Sequence, residues 1–306
     1  MKFRTEVLVD DFATKLSHGD RILSLGSCFS ENVGNKLQYF GFKVLNNPFG
    51  TLFHPLAMAE ILNRVVTNPK GEFRMCQRDG RVFSYDVHGK LSGASENELT
   101  EILETRFAES REFLKRAKML ILTFGTAWGY YLDERIVANC HKQPASLFSK
   151  RLTEVEEMQS VWRNLIKQIK ILNPEITIIT TVSPVRHIRD GIIENNRSKS
   201  RLIELVHALG ENYFPSYELF VDDLRDYRFC KDDLVHPSEF AIQYIFDKFS
   251  TASVASETLQ LFGRIDKLRK AEMHRVMSDG NSAEHFYQEQ TKKREGFLKE
   301  NPLIVW

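Results

Sequence analysis

The segments Met119-Leu120-Ile121-Leu122-Thr123-Phe124 and Ile176-Thr177-Ile178-Ile179-Thr180-Thr181-Val182 restrict the fold most. Both are strand-length runs of apolar or β-branched residues, without the charged or amide side chain at every second position that a wet face needs. Such strands belong inside a parallel sheet with helices over both faces. The chain supplies those helices. Glu96 to Ala117 carries Leu99, Ile102, Leu103, Phe107 and Phe113 on or near one side. Leu152 to Leu172 carries Leu152, Val155, Met158, Val161, Trp162, Leu165, Ile166 and Ile169 in one broad stripe, stopped by Asn173-Pro174. Strands alternating with helices predict an α/β fold, a three-layer α/β/α sandwich around a mainly parallel sheet.

The first unit of that alternation is also the most suggestive chemically. Arg21 to Leu25 reads as a short buried strand, Gly26 breaks it, and from about Ser30 the spacing of Val33, Leu37 and Phe40 predicts a helix with Glu31 in its first turn. A strand, tight turn and helix hold one side chain where unpaired N–H groups and the helix dipole favour an anion. A hydroxyl (Ser27) and a thiol (Cys28) both sit in that turn.

Further along, Phe42 to Leu45 reads as a strand and Pro55 to Val66 as a helix. Glu72 to Tyr85 reads as a hairpin turning at Asp79-Gly80, a small insertion near 72–86. A helix over 198–209, a short strand from Tyr213 to Tyr217 and a helix capped by Ser238 complete the alternation. From Ser256 the character changes to two charged amphipathic helices, 256–276 and 282–299, joined by Ser278-Asp279-Gly280-Asn281. We divide the chain into an α/β domain (1–255) and a helical extension (256–306). The extension either packs on the core or on a second copy in a homo-oligomer, or is a solvated tail.

Lys+Arg 42 against Asp+Glu 41 leaves a net charge of +1, which gives no reason to expect nucleic acid or an anionic membrane as partner. Neither a signal peptide at Met1–Glu6 nor a membrane-length apolar run is seen. Cys28, Cys76, Cys140 and Cys230 are scattered and never form Cys-x-x-Cys, against a structural zinc site or a disulfide framework. The expectation is a cytoplasmic protein with reduced thiols, no metal and no cofactor.

In an open parallel sheet, ligands bind outside the carboxyl ends of the strands. The loops Gly26–Ser30, Asn46–His54, Gly125–Trp128 and Ser183–Arg189 should meet there, joined by Asp232-Asp233-Leu234-Val235-His236-Pro237 ahead of the last core helix. Asp233 and His236 can lie side by side, the carboxylate holding the imidazole in the tautomer whose free nitrogen takes a proton. A hydroxyl or thiol nucleophile needs such a base.

This order, a nucleophile turn after the first strand and Asp-x-x-His at the end of the domain, resembles the SGNH/GDSL hydrolase superfamily. Within it, Gly26-Ser27-Cys28-Phe29-Ser30 looks like the signature of the GSCFA family. Asn47-Pro48-Phe49-Gly50, Thr123-Phe124-Gly125-Thr126-Ala127-Trp128, Asn139-Cys140-His141-Lys142 and Ser183-Pro184-Val185-Arg186 extend the resemblance over roughly 3–250. It implies an SGNH-like, flavodoxin-like sheet and acyl transfer on an ester or thioester, with O-acyl groups of carbohydrates as the substrate class by analogy.

Carried over by position, the resemblance makes Cys28 the nucleophile, with Ser27 the alternative, Asp233 the acid and His236 the base. A thiol at a helix start near an imidazole is expected to ionise near neutral pH. Oxyanion donors would be the nucleophile's N–H and Gly50. Ala127 stands where the superfamily has an asparagine, so one side-chain donor is missing. Asn47, Thr126, Asn139 and His141 are the candidates to replace it. His54, His141, His187 and His236 all fall in loops near the expected site, but no pair has the spacing of a helical zinc motif. Arg186, His187 and Arg189 could hold an anionic substrate group, and Trp128, Tyr130 and Tyr131 a sugar or an acyl chain. The competing reading is a scaffold that keeps the pocket without turnover.

Overall fold

A computed structural model describes residues 4–67, 72–273 and 281–306. Five parallel strands form the central sheet: β1 (Arg21–Gly26), β2 (Lys43–Asn46), β3 (Met119–Phe124), β4 (Thr177–Val182) and β5 (Asn212–Phe214). Their order across the sheet is β2-β1-β3-β4-β5, so the winding reverses next to β1. A crevice opens at such a reversal, at the carboxyl ends of the strands. The register there sets Gly26 opposite Thr123 and Val182 opposite Phe124.

Side-chain alternation divides the strands between two cores. Leu23, Leu25, Leu120, Leu122, Phe124 and Ile178 pack beneath α2 (Pro55–Thr67), α3 (Glu96–Leu114), α4 (Val155–Leu172) and α5 (Ile192–Leu209). Ile22, Met119, Ile121 and Ile179 pack on the other face against α1 (Cys28–Tyr39) and α6 (Glu239–Ser253). Both faces are therefore covered, which is what the continuous apolar strands require. The fold class is the α/β/α sandwich the sequence predicts. Ser238 caps α6 as expected, accepting from the Ala241 N–H at 3.3 Å.

Several boundaries differ from the sequence reading: α3 ends at Leu114 rather than Ala117, and α4 begins at Val155 because Leu152 is the last residue of a strand. Helix α1 begins at Cys28, because Ser27 rather than a later residue caps it. Helix α5 begins at Ile192, six residues before 198, and β5 is confined to Asn212–Phe214. A small antiparallel sheet of Trp128–Leu132, Arg135–Val137 and Ser149–Leu152 follows β3, where the sequence reading had no element.

The helical extension, α7 (Ser256–Met273) and α8 (Asn281–Glu300), packs on the core. Phe262 stacks on Phe40 at 4.1 Å between ring centroids, Ile265 and Phe297 are fully buried, and the Val305 N–H donates to the Gly41 carbonyl at 2.9 Å. The expected joint at 278–281 lies outside the described residues up to position 280. No helix among the described residues is long and apolar enough to cross a membrane.

Candidate active site

The turn after β1 is built for close approach. Gly26 has φ +145°, and a Cβ there would press into the Thr123 carbonyl oxygen, so glycine lets the strands run together before the chain turns away. Ser27 is fully buried, and its Oγ caps α1 by accepting the Phe29 N–H at 3.3 Å. Cys28 follows as the first helical residue, half-buried, with its sulfur against its own N–H and that of Phe29. Burial nonetheless pushes the thiol above its ordinary pKa. The two N–H groups and the Lys199 ammonium oppose the shift, and Glu31 adds to it. That direction runs against a thiol ionised near neutrality.

The late loop carries the Asp233–His236 pair. Asp233 Oδ1 accepts the N–H groups of Val235 and His236, each at 2.9 Å, and Oδ2 pairs with His236 Nδ1 at 2.7 Å. These bonds, the His236 N–H first, hold the Asp233 carboxyl down to about 2. With its proton on Nδ1, the imidazole presents Nε2 as acceptor. The turn between the two residues is gripped from below. Leu234 is left-handed at φ +56°, and Arg186 Nη2 donates to its carbonyl at 3.0 Å while the guanidinium lies over the Tyr227 ring. Arg186, a candidate for substrate anions, instead braces the acid–base loop.

A chain of electrostatic neighbours connects this loop to the early turn. Lys199 is buried on α5, donating from Nζ to the carbonyls of Gly125 at 2.8 Å and Ser183 at 2.7 Å, where β3 and β4 end. Burial drags its pKa down to about 7 against the pull of Cys28. His187 is held down to about 3 by burial, then by Lys199 and His236. Cys28, Lys199, His187 and His236 thus act on one another in sequence along one sheet edge. Among the described residues no hydrogen bond joins the His236 ring to Cys28 or Ser27.

Most candidates for the missing oxyanion donor are already engaged. The Gly50 N–H closes a turn onto the Asn47 carbonyl at 2.8 Å, and at φ +76° a Cβ would strike His88. Thr126 Oγ1 meets Ser198 Oγ and accepts the Trp128 N–H, both at 3.0 Å. His54 is buried, with Nδ1 accepting the Leu56 N–H at 3.1 Å and Nε2 between the Ala127 carbonyl and Thr153 Oγ1. Burial takes its pKa down to about 4. His141 Nε2 bonds the Ser84 carbonyl at 2.7 Å, and Asn139 Oδ1 accepts the His141 N–H at 2.8 Å. Asn47 differs. Its Oδ1 accepts the Gly26 N–H at 2.9 Å, which fixes the amide's orientation, and its Nδ2 is buried with no partner.

The sequence reading missed Lys199; His187, grouped there with Arg186 and Arg189 as a holder of anions, has its Nε2 likewise buried and unpartnered. A signal for Lys199 was present. Asn195, Ser198 and Lys199 continue backwards, at helical spacing, the apolar stripe of Leu202, Leu205, Val206 and Leu209, and all seven are buried. A lysine on a buried stripe marks a site or an ion pair.

A parallel α/β/α sandwich, with the Ser27–Cys28 turn after β1 and the hydrogen-bonded Asp233–His236 pair ahead of α6, defines a protein of the three-layer α/β class. More particularly, the GSCFA family model matches residues 21–249, well over half of the chain, and the protein belongs to that family. Among solved structures, the crystal structure of a putative GDSL-like lipase from Parabacteroides merdae ATCC 43184 is similar at 12% identity and a TM-score of 0.41. The match covers 80% of this chain and 99% of that one. No curated protein matches the chain.

Proposed function

We propose that the protein is an acyl-transfer enzyme acting on an ester or thioester through Cys28. His236 takes the thiol proton, and the sulfur forms a bond to the acyl carbon while the carbonyl electron pair moves onto oxygen. The N–H of Cys28 and Nδ2 of Asn47 receive that oxyanion. Its collapse breaks the bond to the leaving alcohol or thiol, which takes the proton back from His236. Water, or an acceptor hydroxyl, then releases the acyl group by the reverse steps. Asp233 keeps the imidazole oriented and stabilises its charged form. Ser27 fits a nucleophile less well, being fully buried and engaged as the helix cap. A carbohydrate on the alcohol side is suggested by superfamily analogy.

The observation that carries this reading is the Asp233–His236 pair, bonded at 2.7 Å, on the same sheet edge as a half-buried thiol at a helix start. Ala127, fully buried with its N–H bonded to Ser198 Oγ at 2.7 Å, favours the rival reading of a binding protein without turnover. Aryl acetates and thioesters assayed with Cys28→Ala, Ser27→Ala and His236→Ala separate the two. We expect Cys28→Ala and His236→Ala to abolish turnover and Ser27→Ala to retain it. Turnover unaffected by His236→Ala, or absent on every substrate, overturns the enzyme reading.

A further inference from the structure

A cavity of about 580 Å³, the volume of a small-molecule site, opens between the antiparallel sheet that follows β3 and the loop after β4. Phe53, Trp128, Tyr130 and Phe148 give it aromatic surface. Its charged and polar groups come from two segments. Asn139, Cys140 and Lys142 lie on the loop after Val137, and Arg189 and Asp190 on the helical turn Ile188–Asp190. Burial pushes the Cys140 thiol up and the Arg189 guanidinium opposes that rise, so the two segments face each other across the cavity.

The charges in this wall do not balance. Asp190 is the one carboxylate among the described residues that line it, and Lys150 takes that carboxylate at 2.5 Å while lying over the Trp128 and Tyr130 rings. Lys142 and Arg189 are left over: among the described residues neither has a hydrogen bond or an ion pair, and both are exposed at the mouth. The Asn139 amide nitrogen and the Tyr130 hydroxyl are equally without a partner. The loop that carries Lys142 is anchored in an unfavourable conformation. His141 and Lys142 are both left-handed, at φ +49° and +57°. His141 Nε2 bonds the Ser84 carbonyl at 2.7 Å, and Arg78 Nη1 donates to the His141 carbonyl at 3.2 Å. Unpaired cations beside amide and hydroxyl donors suit an oxyanion, which accepts charge-assisted hydrogen bonds from all of them.

The inner end of the cavity decides which side of an ester this anion belongs to. His187, buried there, lies within electrostatic reach of His236. In the acyl-transfer reading His236 returns its proton to the leaving oxygen, so the part of the substrate nearest to it is the alcohol.

Resting on that reading, we infer that the cavity holds the alcohol part of the substrate and that this alcohol carries an oxyanion, a carboxylate or a phosphate, which Lys142 and Arg189 bind. The substrate class is an acyl ester of an anionic alcohol, and selectivity lies in the alcohol rather than in the acyl group.

The test is a set of aryl acetates that differ in the charge at the para position: phenyl acetate, 4-acetoxybenzoate, 4-acetoxyphenyl phosphate and 4-(trimethylammonio)phenyl acetate. Each enzymatic rate is divided by the ester's own hydroxide-catalysed rate. We expect kcat/KM for at least one anionic ester to exceed that for phenyl acetate by about tenfold, with the cationic ester below both. Raising NaCl from about 0.05 M to about 1 M should shrink the preference. Lys142→Asn, whose new side chain tolerates the left-handed backbone, and Arg189→Gln should each cut the anionic-to-neutral ratio by about threefold. In parallel, calorimetry with 4-hydroxybenzoate and 4-hydroxyphenyl phosphate reads binding without turnover and tells a carboxylate from a phosphate. Wild-type and His236→Ala protein should bind at least one of them, and the Lys142→Asn, Arg189→Gln double variant should bind it about tenfold more weakly. If no ester is turned over yet an anion binds and the double variant weakens that binding, the catalytic reading fails and the anion site stands. An anionic-to-neutral ratio of one or less, a ratio that both variants leave unchanged, or anion binding that is absent or indifferent to the double variant overturns the inference.

Discussion

Asn47 offers a sharp test because the two ends of one amide do different work. Its Oδ1 accepts the Gly26 N–H at 2.9 Å, a structural bond, while Nδ2 is buried beside the nucleophile turn without a partner. The backbone at Asn47 is left-handed at φ +43°, which Asn and Asp tolerate and Ala does not. Asn47→Asp therefore keeps the acceptor and the conformation but replaces the donor with an oxygen. Loss of one oxyanion donor costs about 10²–10³ in rate, or roughly 3–4 kcal/mol of barrier. A carboxylate facing a developing oxyanion makes that a lower bound. We expect kcat to fall by at least about a hundredfold, with a Tm loss of its own because a carboxylate oxygen is buried where the amide nitrogen stood. Asn47→Ala additionally strips the Gly26 N–H of its partner, about 1–3 kcal/mol, and strains the backbone by about 1 kcal/mol more. Its Tm should fall by roughly 3–6 °C. Ester hydrolysis and thermal melts on the same preparations give both numbers. Asn47→Asp turnover within threefold of wild type refutes the oxyanion assignment.

Two further outcomes follow from the geometry. His54 is fully buried as the neutral imidazole, its pKa held down to about 4 from an ordinary 6.5. The unfolded chain therefore binds a proton that the folded one refuses, and stability is lost as pH falls from 6.5 towards 4, at about 1.4 kcal/mol per unit. Urea denaturation at pH 7 and pH 5 should show that loss, and His54→Gln should flatten it; an unchanged pH slope in the variant would contradict the assignment. Arg186→Met removes the donor to the Leu234 carbonyl at 3.0 Å. It should lower kcat with KM nearly constant; a rise in KM alone would return Arg186 to substrate binding.

The architecture was legible because its signal is collective. Each of β1, β3 and β4 is apolar on both sides, and the helices between them carry stripes of five to eight apolar residues, so no single substitution hides the pattern. The small sheet after β3 was not legible. Trp128–Leu132 is read as aromatic wall as easily as strand, and its partner Ser149–Leu152 (Ser-Lys-Arg-Leu) has no apolar alternation at all. That strand exists because the backbone groups of Trp128–Tyr131 need partners, a tertiary demand that local sequence does not announce. The start of α5 was missed for a related reason. Ile192 and Ile193 are exposed, so the helix's first turn faces outward and breaks the buried stripe used to find it.

At the site, the sequence could name residue types but not what each atom already touches. Asp233 and His236 were readable because both partners lie on one short loop, where three-residue spacing alone permits contact. The fate of His54, Thr126, His141 and Gly50 was not readable, since each is engaged by a group from a distant segment or by its own turn. Donor capacity is a difference between what an atom can do and what its neighbours already ask of it. Three side-chain nitrogens of the candidate residues survive that subtraction, Asn47 Nδ2, Arg186 Nε and His187 Nε2, each buried without a hydrogen-bond partner. A buried polar group left unsatisfied costs about 1–3 kcal/mol, so each is a place where a bound ligand gains by supplying the missing partner.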